Sequence, residues 1–407
     1  PLIGRKPFIA AWNAPLDRCT TRYNISTNVE RLFHIQGSPR AEWTGQNITI
    51  FYANRLGFYP HYTPQGVAVN GGLPQNCSLD LHLLKAHQDI RRFIPARDVR
   101  GLAVIDWEFW RPQWKRNWHK KVIYRRRSKE LTARAYGNVT EAQVEELARR
   151  RFEKSAKAFM QQTLQLGTRL RPNTLWGFYL YPDCHNYNLE QQNYTGLCPL
   201  LERRRNDELR WLWNSSSALF PSVAIRVTRA SAATASLYVR NRVQEAMRVA
   251  ELPRRPHTVP VYVYSRPLFR DQSSTFLSQM DLVSTVGEIA ALGASGVVMW
   301  GSSSDYSSKG QCESLSRYLK STLAPYLANV TAAAMLCSEV LCQGKGRCTR
   351  KEYDSTHYLH LNPAHFTISQ VEGAYVATGL PSAADVDALS QHFTCQCYAG
   401  LTCQARA

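Results

Sequence analysis

Short apolar runs alternate with longer amphipathic segments along most of the chain. The runs that have the length and composition of buried strands are Pro7–Asn13, Ile48–Tyr52, Leu102–Glu108, Leu175–Tyr181, Leu219–Ile225, Val259–Tyr264 and Gly296–Trp300. The segments between them that place apolar residues at helical spacing are Ser78–Phe93, Thr140–Leu170, Ala235–Ala250 and Gln279–Leu292. Buried strands that alternate with helices are typical of parallel α/β proteins. The number of units favours a distorted (β/α) TIM-like barrel over an open sheet.

Polar and aromatic residues suited to chemistry stand at the carboxyl ends of these runs. They are Asn13, Tyr52, Asp106, Glu108, Tyr179, Ser222, Tyr264 and Trp300. Barrel enzymes place their active sites at this end of the strands. The alternative is that the aromatic residues only close the mouth of the barrel. Their occurrence on successive strands favours a site.

One run ends in two carboxylates, Asp106 and Glu108, which flank Trp107. Because strand side chains alternate, the two carboxylates should point the same way, about 6–7 Å apart at their Cα atoms. A like charge that close, between aromatic walls, should raise the pKa of one member and keep it protonated near neutral pH. Such a pair is typical of glycosidic-bond cleavage. An acidic strand end capped by a salt bridge is the alternative.

The character of the sequence changes after about Tyr326. The last seventy residues hold Cys337, Cys342, Cys348, Cys395, Cys397 and Cys403. This spacing resembles a small epidermal-growth-factor-like module, which depends on disulfides because it has no core of its own. We therefore predict a catalytic domain over residues 1–330 and a module over 331–407, with Leu359–Asp387 as an insertion. A zinc site is the disfavoured alternative because the spacing fits poorly.

The formal net charge of the 407-residue chain is +19, which indicates a polyanionic partner. Eleven cysteines and seven glycosylation sequons favour an extracellular protein, secreted or at the cell surface, and therefore exclude nucleic acid as the partner. The sequons are at Asn24, Asn47, Asn76, Asn138, Asn193, Asn214 and Asn329. An anionic polysaccharide fits better. We expect a monomer without metal or cofactor.

No run of about 20 uninterrupted apolar residues is present, so we predict no membrane-spanning segment. The chain opens at Pro1 as a trimmed mature form would. Tethering by a lipid anchor outside this chain stays open.

A basic stretch, Arg111–Lys129, follows the carboxylate pair and interleaves nine cations with Trp114, Trp118 and Tyr124. Cations alternating with aromatic rings suit a carboxylated or sulfated sugar chain. A second cluster, Arg149–Arg151, is better explained as a solvated helix face.

Several motifs together resemble the vertebrate hyaluronidases over essentially the whole chain. They are Asp106-Trp-Glu-x-Trp-Arg-Pro112, Gly71-Gly-Leu-Pro-Gln-Asn76, Leu175-Trp-Gly-Phe-Tyr179, Pro182-Asp-Cys184, Arg205-Asn-Asp207, Trp211-Leu-Trp213 and Gly296–Trp300. Within that family the chain is most similar to the sperm-surface and the type-four, chondroitin-cleaving members.

The resemblance implies hydrolysis of the β-1,4 bond after an N-acetylhexosamine in hyaluronan or chondroitin, with retention. Glu108 would be the general acid and then base, Asp106 would orient the acetamido group, and Tyr179 would hydrogen-bond it. The sugar would contact further residues: Asn13, Tyr52, Trp107, Arg111, Asp183, Ser222, Tyr264 and Trp300. Both carboxylates leave one strand on one side, so neither can readily attack the opposite face of the ring. The sugar's own acetamido oxygen is available as the nucleophile.

The chain departs from the hyaluronan-cleaving pattern at Ala224, where most such members have a tyrosine. The missing ring opens space beside the hexosamine, which the axial and often sulfated 4-position of chondroitin needs. Arg266, where many members have glutamine, adds a cation that could meet a sulfate or carboxylate. We therefore expect a preference for chondroitin-type chains.

The resemblance also implies five disulfides: Cys19–Cys312, Cys184–Cys198, Cys337–Cys348, Cys342–Cys395 and Cys397–Cys403. Cys77 is left over, either as a free thiol or as an intermolecular bridge. Two other function classes compete with a hydrolase of glycosaminoglycans. A glycosaminoglycan-binding protein with little turnover would share the charge and the aromatic residues. A chitinase-like enzyme is disfavoured because neutral chitin does not explain the charge.

Overall fold

The computed structural model describes residues 2–39, 43–226 and 231–405. Its strands are β1 Ile9–Asn13, β2 Ile35–Gly37, β3 Ile48–Phe51, β4 His61–Tyr62, β5 Ala68–Val69, β6 Leu102–Ile105, β7 Leu175–Phe178, β8 Tyr262–Ser265, β9 Gly296–Trp300, β10 Gly346–Arg350, β11 Phe366–Val371, β12 Ala374–Gly379 and β13 Phe393–Cys397.

The α-helices are α1 Asp17–Thr21, α2 Val29–Leu32, α3 Leu79–Phe93, α4 Val122–Tyr136, α5 Glu141–Leu170, α6 Leu200–Glu208, α7 Arg210–Ser215, α8 Ala232–Ala250, α9 Gln279–Leu282, α10 Glu288–Ala291, α11 Lys309–Tyr318, α12 Ala324–Cys342 and α13 Ala383–His392. One π-helical turn joins α9 to α10 and another joins α11 to α12. The predicted helices are present, and Ser78 and Thr140 cap the first turns of α3 and α5 with their side chains.

Contacts divide the chain into two compact units. Unit 1 comprises Pro1–Ile48 and Leu180–Ala407, and unit 2 comprises Thr49–Tyr179. Unit 1 contains a sheet in the order β2-β1-β9-β8, in which the three strand pairs are parallel. Unit 2 contains a sheet in the order β3-β6-β7, in which β6 and β7 are parallel. The predicted α/β class with parallel strands is therefore confirmed.

The predicted strand Leu219–Ile225 was wrong as a continuous element. It forms two isolated parallel bridges, from Leu219 to Val261 and from Ser222 to Tyr264. Pro221 lies between them and has no N–H to donate, so the hydrogen-bond ladder is interrupted there.

Helix α4 was missed because it has no apolar stripe. The residues that it buries are Tyr124, Ser128 and Thr132, which recur at helical spacing but are polar or small. The cations around these residues leave this part of the basic stretch without the apolar periodicity from which a helix could be predicted.

The predicted domain boundary at residue 330 does not fall between two helices or strands. Helix α12 runs through the predicted boundary at 330/331, and the contacts assign the C-terminal residues to unit 1. Within that segment β10 pairs with β13 and β11 pairs with β12, both antiparallel. The β11–β12 hairpin lies in the stretch predicted as an insertion. The separate module over 331–407 stays a prediction.

The structure contains the five disulfides that the resemblance implies, with S–S bonds at Cys19–Cys312, Cys184–Cys198, Cys337–Cys348, Cys342–Cys395 and Cys397–Cys403. Three of them lie in the cysteine-rich tail. Cys77 is a half-buried free thiol, and burial raises its pKa.

One helical run, Lys309–Cys342, is long and apolar enough to cross a membrane by length and composition. Half of its apolar window is buried inside the protein, as in a core helix, and the disulfides of Cys312, Cys337 and Cys342 tie it to other parts of unit 1. The run therefore gives only weak evidence for a membrane span.

A fully buried carboxylate joins the C-terminal segment to the helices of unit 1. Glu288 in α10 is 0% exposed and accepts from Arg240 of α8 at 2.8 Å and from Arg350 of β10 at 2.6 Å. The Tyr358 hydroxyl donates to the same carboxylate at 2.9 Å. Because a buried charge is costly unless it is paired and hydrogen-bonded, these four side chains depend on one another.

We expect Glu288→Gln to destabilise the fold by about 3–5 kcal/mol, because two buried guanidinium groups then face a neutral amide. Urea unfolding of the purified variant measures the loss. Glu146→Gln is the matched control: Glu146 pairs with Arg149 and Arg150 on the exposed face of α5, so its removal should change stability little. Equal losses in the two variants would contradict this account.

Candidate active site

The carboxylate pair stands at the carboxyl end of the central strand of unit 2. All four residues of β6 are buried, and the strand ends at Ile105 rather than at Glu108 as predicted. The backbone N–H of Asp106 still donates to the Phe51 carbonyl at 2.9 Å, so the sheet fixes the start of the turn. Beyond it the alternation persists, with Trp107 buried and Glu108 exposed.

The Asp106 and Glu108 side chains are hydrogen-bonded to each other. Burial first, and then this hydrogen bond and the charge of Glu108, raise the pKa of Asp106 well above its usual range. The pair therefore holds one proton near neutral pH, as the sequence predicted. The Oδ1 oxygen of Asp106 is buried from solvent.

The pair opens into a cleft of about 920 Å³ within unit 2. Its lining is Tyr52, Ala53, Asn54, His61, Tyr62, Thr63, Pro64, Asp106, Glu108, Phe109, Lys120, Lys121, Ile123 and Tyr124. A cleft of this size is large enough to bind several sugar rings. Burial and then the charge of Asp106 raise the pKa of Tyr52 to about 12, so its hydroxyl stays a neutral donor.

A stack of aromatic rings runs from the core of unit 2 to the cleft. Trp107 stacks on Tyr59 at 4.6 Å between ring centroids, and His61 stacks on Phe109 at 4.2 Å. Tyr59 and His61 are stacked at 5.5 Å. Trp107, predicted to contact the sugar, is only 2% exposed and supports the stack from inside. His61 and Phe109 are the rings of this stack that line the cleft, and Phe109, which the sequence reasoning missed, is 38% exposed.

Tyr179 directly follows β7, and its N–H donates to the Ile105 carbonyl at 3.0 Å. It is half-buried and leaves the sheet beside Asp106. Arg111 is also half-buried, and the Asn117 side chain binds both its backbone N–H, at 2.8 Å, and its carbonyl, at 2.9 Å. Unit 2 thus brings Tyr52, Asp106, Glu108 and Tyr179 to the ends of adjacent strands.

The basic stretch is only partly a solvent-exposed surface. Arg116 and Trp114 are buried at 3% exposure each, whereas Lys115, Lys120 and Arg126 are exposed. Lys120 and Lys121 line the cleft. The sequence could not distinguish the cations that pack inside from those that face a ligand.

In unit 1, Asn13 and Trp300 end two neighbouring parallel strands and are register partners. Asn13 is 1% exposed, and neither its amide nitrogen nor its amide oxygen has a hydrogen-bond partner within the described residues. The Trp300 indole N–H is likewise buried without a described partner. A buried polar group without a partner requires an explanation, and contact with a ligand is one of them.

Arg266 is not the free cation that the sequence suggested. Its guanidinium donates to Asp305 at 2.6 Å and lies over the Trp300 ring at 5.4 Å from the centroid. The Arg266 side chain is 11% exposed and that of Asp305 is 3% exposed. Because Asp305 neutralises it, Arg266 contributes little net charge toward a sulfate. The expected contact between Arg266 and a sulfate is therefore not supported, and Arg266 instead supports the Trp300 ring.

Asp183 lies in a buried network rather than facing solvent. Its carboxylate contacts Arg242 at 3.2 Å and His185 at 3.2 Å, and accepts from the N–H of Cys184 at 2.7 Å. Arg242 also donates to the Ser222 carbonyl at 2.9 Å. Arg242, which no sequence motif singled out, therefore connects two predicted sugar contacts. The Cys184–Cys198 disulfide closes the same loop.

Ser222 and Ala224 are half-buried, and Ser222 forms a bridge with the buried Tyr264. The Tyr264 N–H donates to the Pro221 carbonyl, and the Val223 N–H donates to the Tyr264 carbonyl. Within the described ranges no group of three or more His, Cys, Asp or Glu side chains could hold a metal ion.

The fold and the cleft with its two carboxylates point to a glycoside hydrolase. A family model described as hyaluronidase, glycoside hydrolase family 56, matches residues 1–407. Human hyaluronidase-4 is 50% identical over 401 residues, which are 98% of this chain and 83% of that protein. Human hyaluronidase PH-20 is 46% identical over 409 residues, covering 100% of this chain and 80% of that protein.

The fold also matches the solved structure of bee venom hyaluronidase in complex with a hyaluronic acid tetramer. The TM-score is 0.70 at 33% identity, over 79% of this chain and 98% of that one. The chain belongs to the hyaluronidase family. It is an extracellular glycoside hydrolase that cleaves glycosaminoglycans.

The raised pKa of Asp106 predicts how stability depends on pH. The unfolded chain loses this proton at about pH 4, whereas the folded protein keeps it to a much higher pH. Stability contributed by the protonated group is therefore complete below pH 4 and is lost as the pH rises toward the folded pKa. Asp106→Asn cannot ionise, so its thermal midpoint should rise relative to wild type between pH 4 and pH 8.

The control is Asp98→Asn, at an exposed loop position, where the difference from wild type should not follow this trend. Melting curves at matched ionic strength give both series. A difference between Asp106→Asn and wild type that stays constant across this range would show that burial does not hold the proton on Asp106.

Proposed function

We propose that the chain is an endo-β-N-acetylhexosaminidase that cleaves β-1,4 bonds of chondroitin-type chains and hyaluronan with retention by substrate-assisted catalysis. The observation that carries this proposal is the hydrogen-bonded, proton-sharing pair Asp106–Glu108 at the cleft of unit 2. The bee venom relative was solved with a hyaluronic acid tetramer, which supports a polymer of this chemistry as the substrate.

The spacing of the pair favours an internal nucleophile. Retaining enzymes that use a protein nucleophile hold their two carboxyl groups about 5–5.5 Å apart, and inverting enzymes hold them farther apart. Two side chains that hydrogen-bond to each other are closer than either arrangement. We therefore place both on one side of the scissile bond. The acetamido oxygen of the substrate can attack the anomeric carbon from the other side and form an oxazolinium intermediate.

The shared proton has a defined path in this mechanism. In the free enzyme Asp106 holds it and donates to Glu108. When the acetamido N–H of the substrate donates to Asp106, the ionised form of Asp106 is favoured. The proton then passes along the existing hydrogen bond to Glu108, which gives it to the leaving glycosidic oxygen. Glu108 afterwards removes a proton from the water that opens the oxazolinium.

We assign the Asp106 carboxylate as the acceptor of the acetamido N–H. We assign Tyr179, at the adjacent strand end, as a donor to the same acetamido group, and Tyr52 as a neutral hydroxyl that contacts the sugar. In the cleft, Phe109 replaces Trp107 as the proposed stacking ring. Arg111 remains a proposed contact to the acidic sugar.

For unit 1 we propose that Asn13, Ser222, Ala224, Tyr264 and Trp300 contact the sugar, with Asp183 as a support of that surface. The buried and unpartnered amide of Asn13 and indole N–H of Trp300 support this assignment. We also propose that the parallel strands belong to a (β/α) barrel and that residues 331–407 form an epidermal-growth-factor-like module.

We propose that the sequons carry glycans. The six exposed asparagines are Asn24, Asn47, Asn76, Asn138, Asn193 and Asn214. Asn329 is half-buried, and its amide oxygen accepts from the Leu361 N–H at 2.8 Å. A monomeric state and a lipid tether remain predictions.

Glu108→Gln should keep the fold and polymer binding but lose turnover by about 10²–10⁴-fold or more, because the amide cannot donate a proton to the leaving oxygen. Product sizing after digestion of chondroitin and hyaluronan by the purified variant measures this. Glu130→Gln, an exposed position on α4, is the matched control. Turnover by Glu108→Gln close to wild type would overturn the assignment, and a wild type without turnover would favour a glycosaminoglycan-binding protein.

Ala224→Tyr should raise the ratio of hyaluronan to chondroitin sulfate turnover. The added ring would exclude an axial or sulfated C4, whereas its hydroxyl adds a hydrogen bond to the equatorial isomer that is worth only about 1 kcal/mol. Most of the change should therefore be lost chondroitin activity. Initial rates on both polymers give the ratio.

Ala224→Phe separates the two effects because it fills the same space without the hydroxyl. It should lose chondroitin sulfate activity as Ala224→Tyr does, but gain nothing on hyaluronan. A ratio that is the same in wild type and both variants would mean that Ala224 does not set specificity.

A further inference from the structure

One ammonium group in the cleft has no role in the mechanism above. Lys121 is half-buried and lines the cleft beside Asp106 and Glu108. Its Nζ donates to the backbone carbonyl of Glu108 and lies 3.3 Å from the carbonyl of Phe109. It therefore holds the peptide that carries both the proposed general acid and the exposed stacking ring.

The loop between β6 and α4 places Lys121 at this position. Asn117 is 0% exposed and binds the Arg111 backbone in both directions, as well as the Gln113 carbonyl at 3.1 Å. These bonds fold the chain back after the carboxylate pair. His119 then adopts the left-handed conformation with φ 52°, and the Lys121 N–H closes the turn on the Trp118 carbonyl at 3.0 Å.

We propose that Lys121 is the positioning residue of the general acid, clamping the Glu108–Phe109 peptide and presenting a positive charge to the Asp106–Glu108 pair. The proposal rests on the assignment of Glu108 as general acid. Two backbone carbonyls on one ammonium restrict the backbone from which the Glu108 side chain projects. A cation at this position also favours the singly ionised, active form of the pair.

Lys121 itself stays charged at neutral pH. Burial first, and then the charge of Arg111, lower its pKa to about 8, while Glu108 opposes the shift. The titratable and charged groups that face the pair and Lys121 are Tyr52, Arg55, His61, Tyr62, Arg111, Lys120 and Tyr124. The Lys121 ammonium is bonded directly to the backbone of the proposed acid.

The test compares Lys121→Met, Lys121→Gln and Lys121→Arg in the full chain, with unsulfated chondroitin as the substrate, over the pH range in which the wild type is active. Lys121→Met should lower kcat by about 10-fold or more, the scale of a misplaced general acid, with a smaller change in KM. Because the lost charge favoured ionisation, both limbs of its pH profile should move to higher pH, by about half a unit or more.

The other two substitutions separate the clamp from the charge. Lys121→Gln keeps a donor for the carbonyls without the charge, so it should recover part of kcat while its pH limbs stay shifted. Lys121→Arg keeps both and should restore the wild-type limbs. Lys120→Met is the matched control: it removes the same charge from the adjacent, exposed residue of the cleft, and should move the limbs and lower kcat less than Lys121→Met does.

Circular dichroism and melting curves establish that each variant is folded before its kinetics are compared. A Lys121→Met enzyme with kcat within about twofold of wild type and unmoved limbs would overturn the role of Lys121. So would a loss of kcat with unmoved limbs that Lys121→Arg does not restore. If Glu108→Gln keeps wild-type turnover, the proposed function itself fails; if Glu108→Gln is inactive and only the Lys121 results disagree, the positioning role alone fails.

Discussion

The hydrogen bond between Asp106 and Glu108 is the constraint on which the chemistry of unit 2 depends. It exists because a fully buried strand ends at Ile105 and the next residues alternate around an inward-facing Trp107. Burial makes a second negative charge costly, so the pair keeps one proton. The Trp107–Tyr59 stack is part of the apolar interior of unit 2 from which the pair projects.

The sequence was informative where the signal is local. An unbroken apolar run, apolar residues at helical spacing or a carboxylate two positions from another can be recognised within one short window. The strand β6, the helices α3 and α5, and the carboxylate pair were predicted in this way. The strand over Leu219–Ile225 failed through a local cause as well, since Pro221 interrupts its hydrogen bonds.

The residues whose roles the sequence could not show act through partners far along the chain. Lys121 contacts a carbonyl 13 residues away, Arg266 pairs with Asp305 across 39 residues, and Arg242 reaches Asp183 across 59. Composition shows each of them only as one more cation in a chain whose formal net charge is +19. Several cations of the chain form ion pairs with buried carboxylates. The net charge therefore does not show where positive charge is available to a polymer at the surface.

The Glu288 cluster determines how the chain tolerates cleavage. Two of its four members, Arg350 and Tyr358, come from the C-terminal segment, whereas Glu288 and Arg240 come from helices that precede it. In a chain that ends before Gly346, the Glu288 carboxylate would keep one guanidinium partner instead of two and would lose the phenol. The C-terminal segment therefore contributes to the stability of the helices that precede it and is more than a tail attached to them.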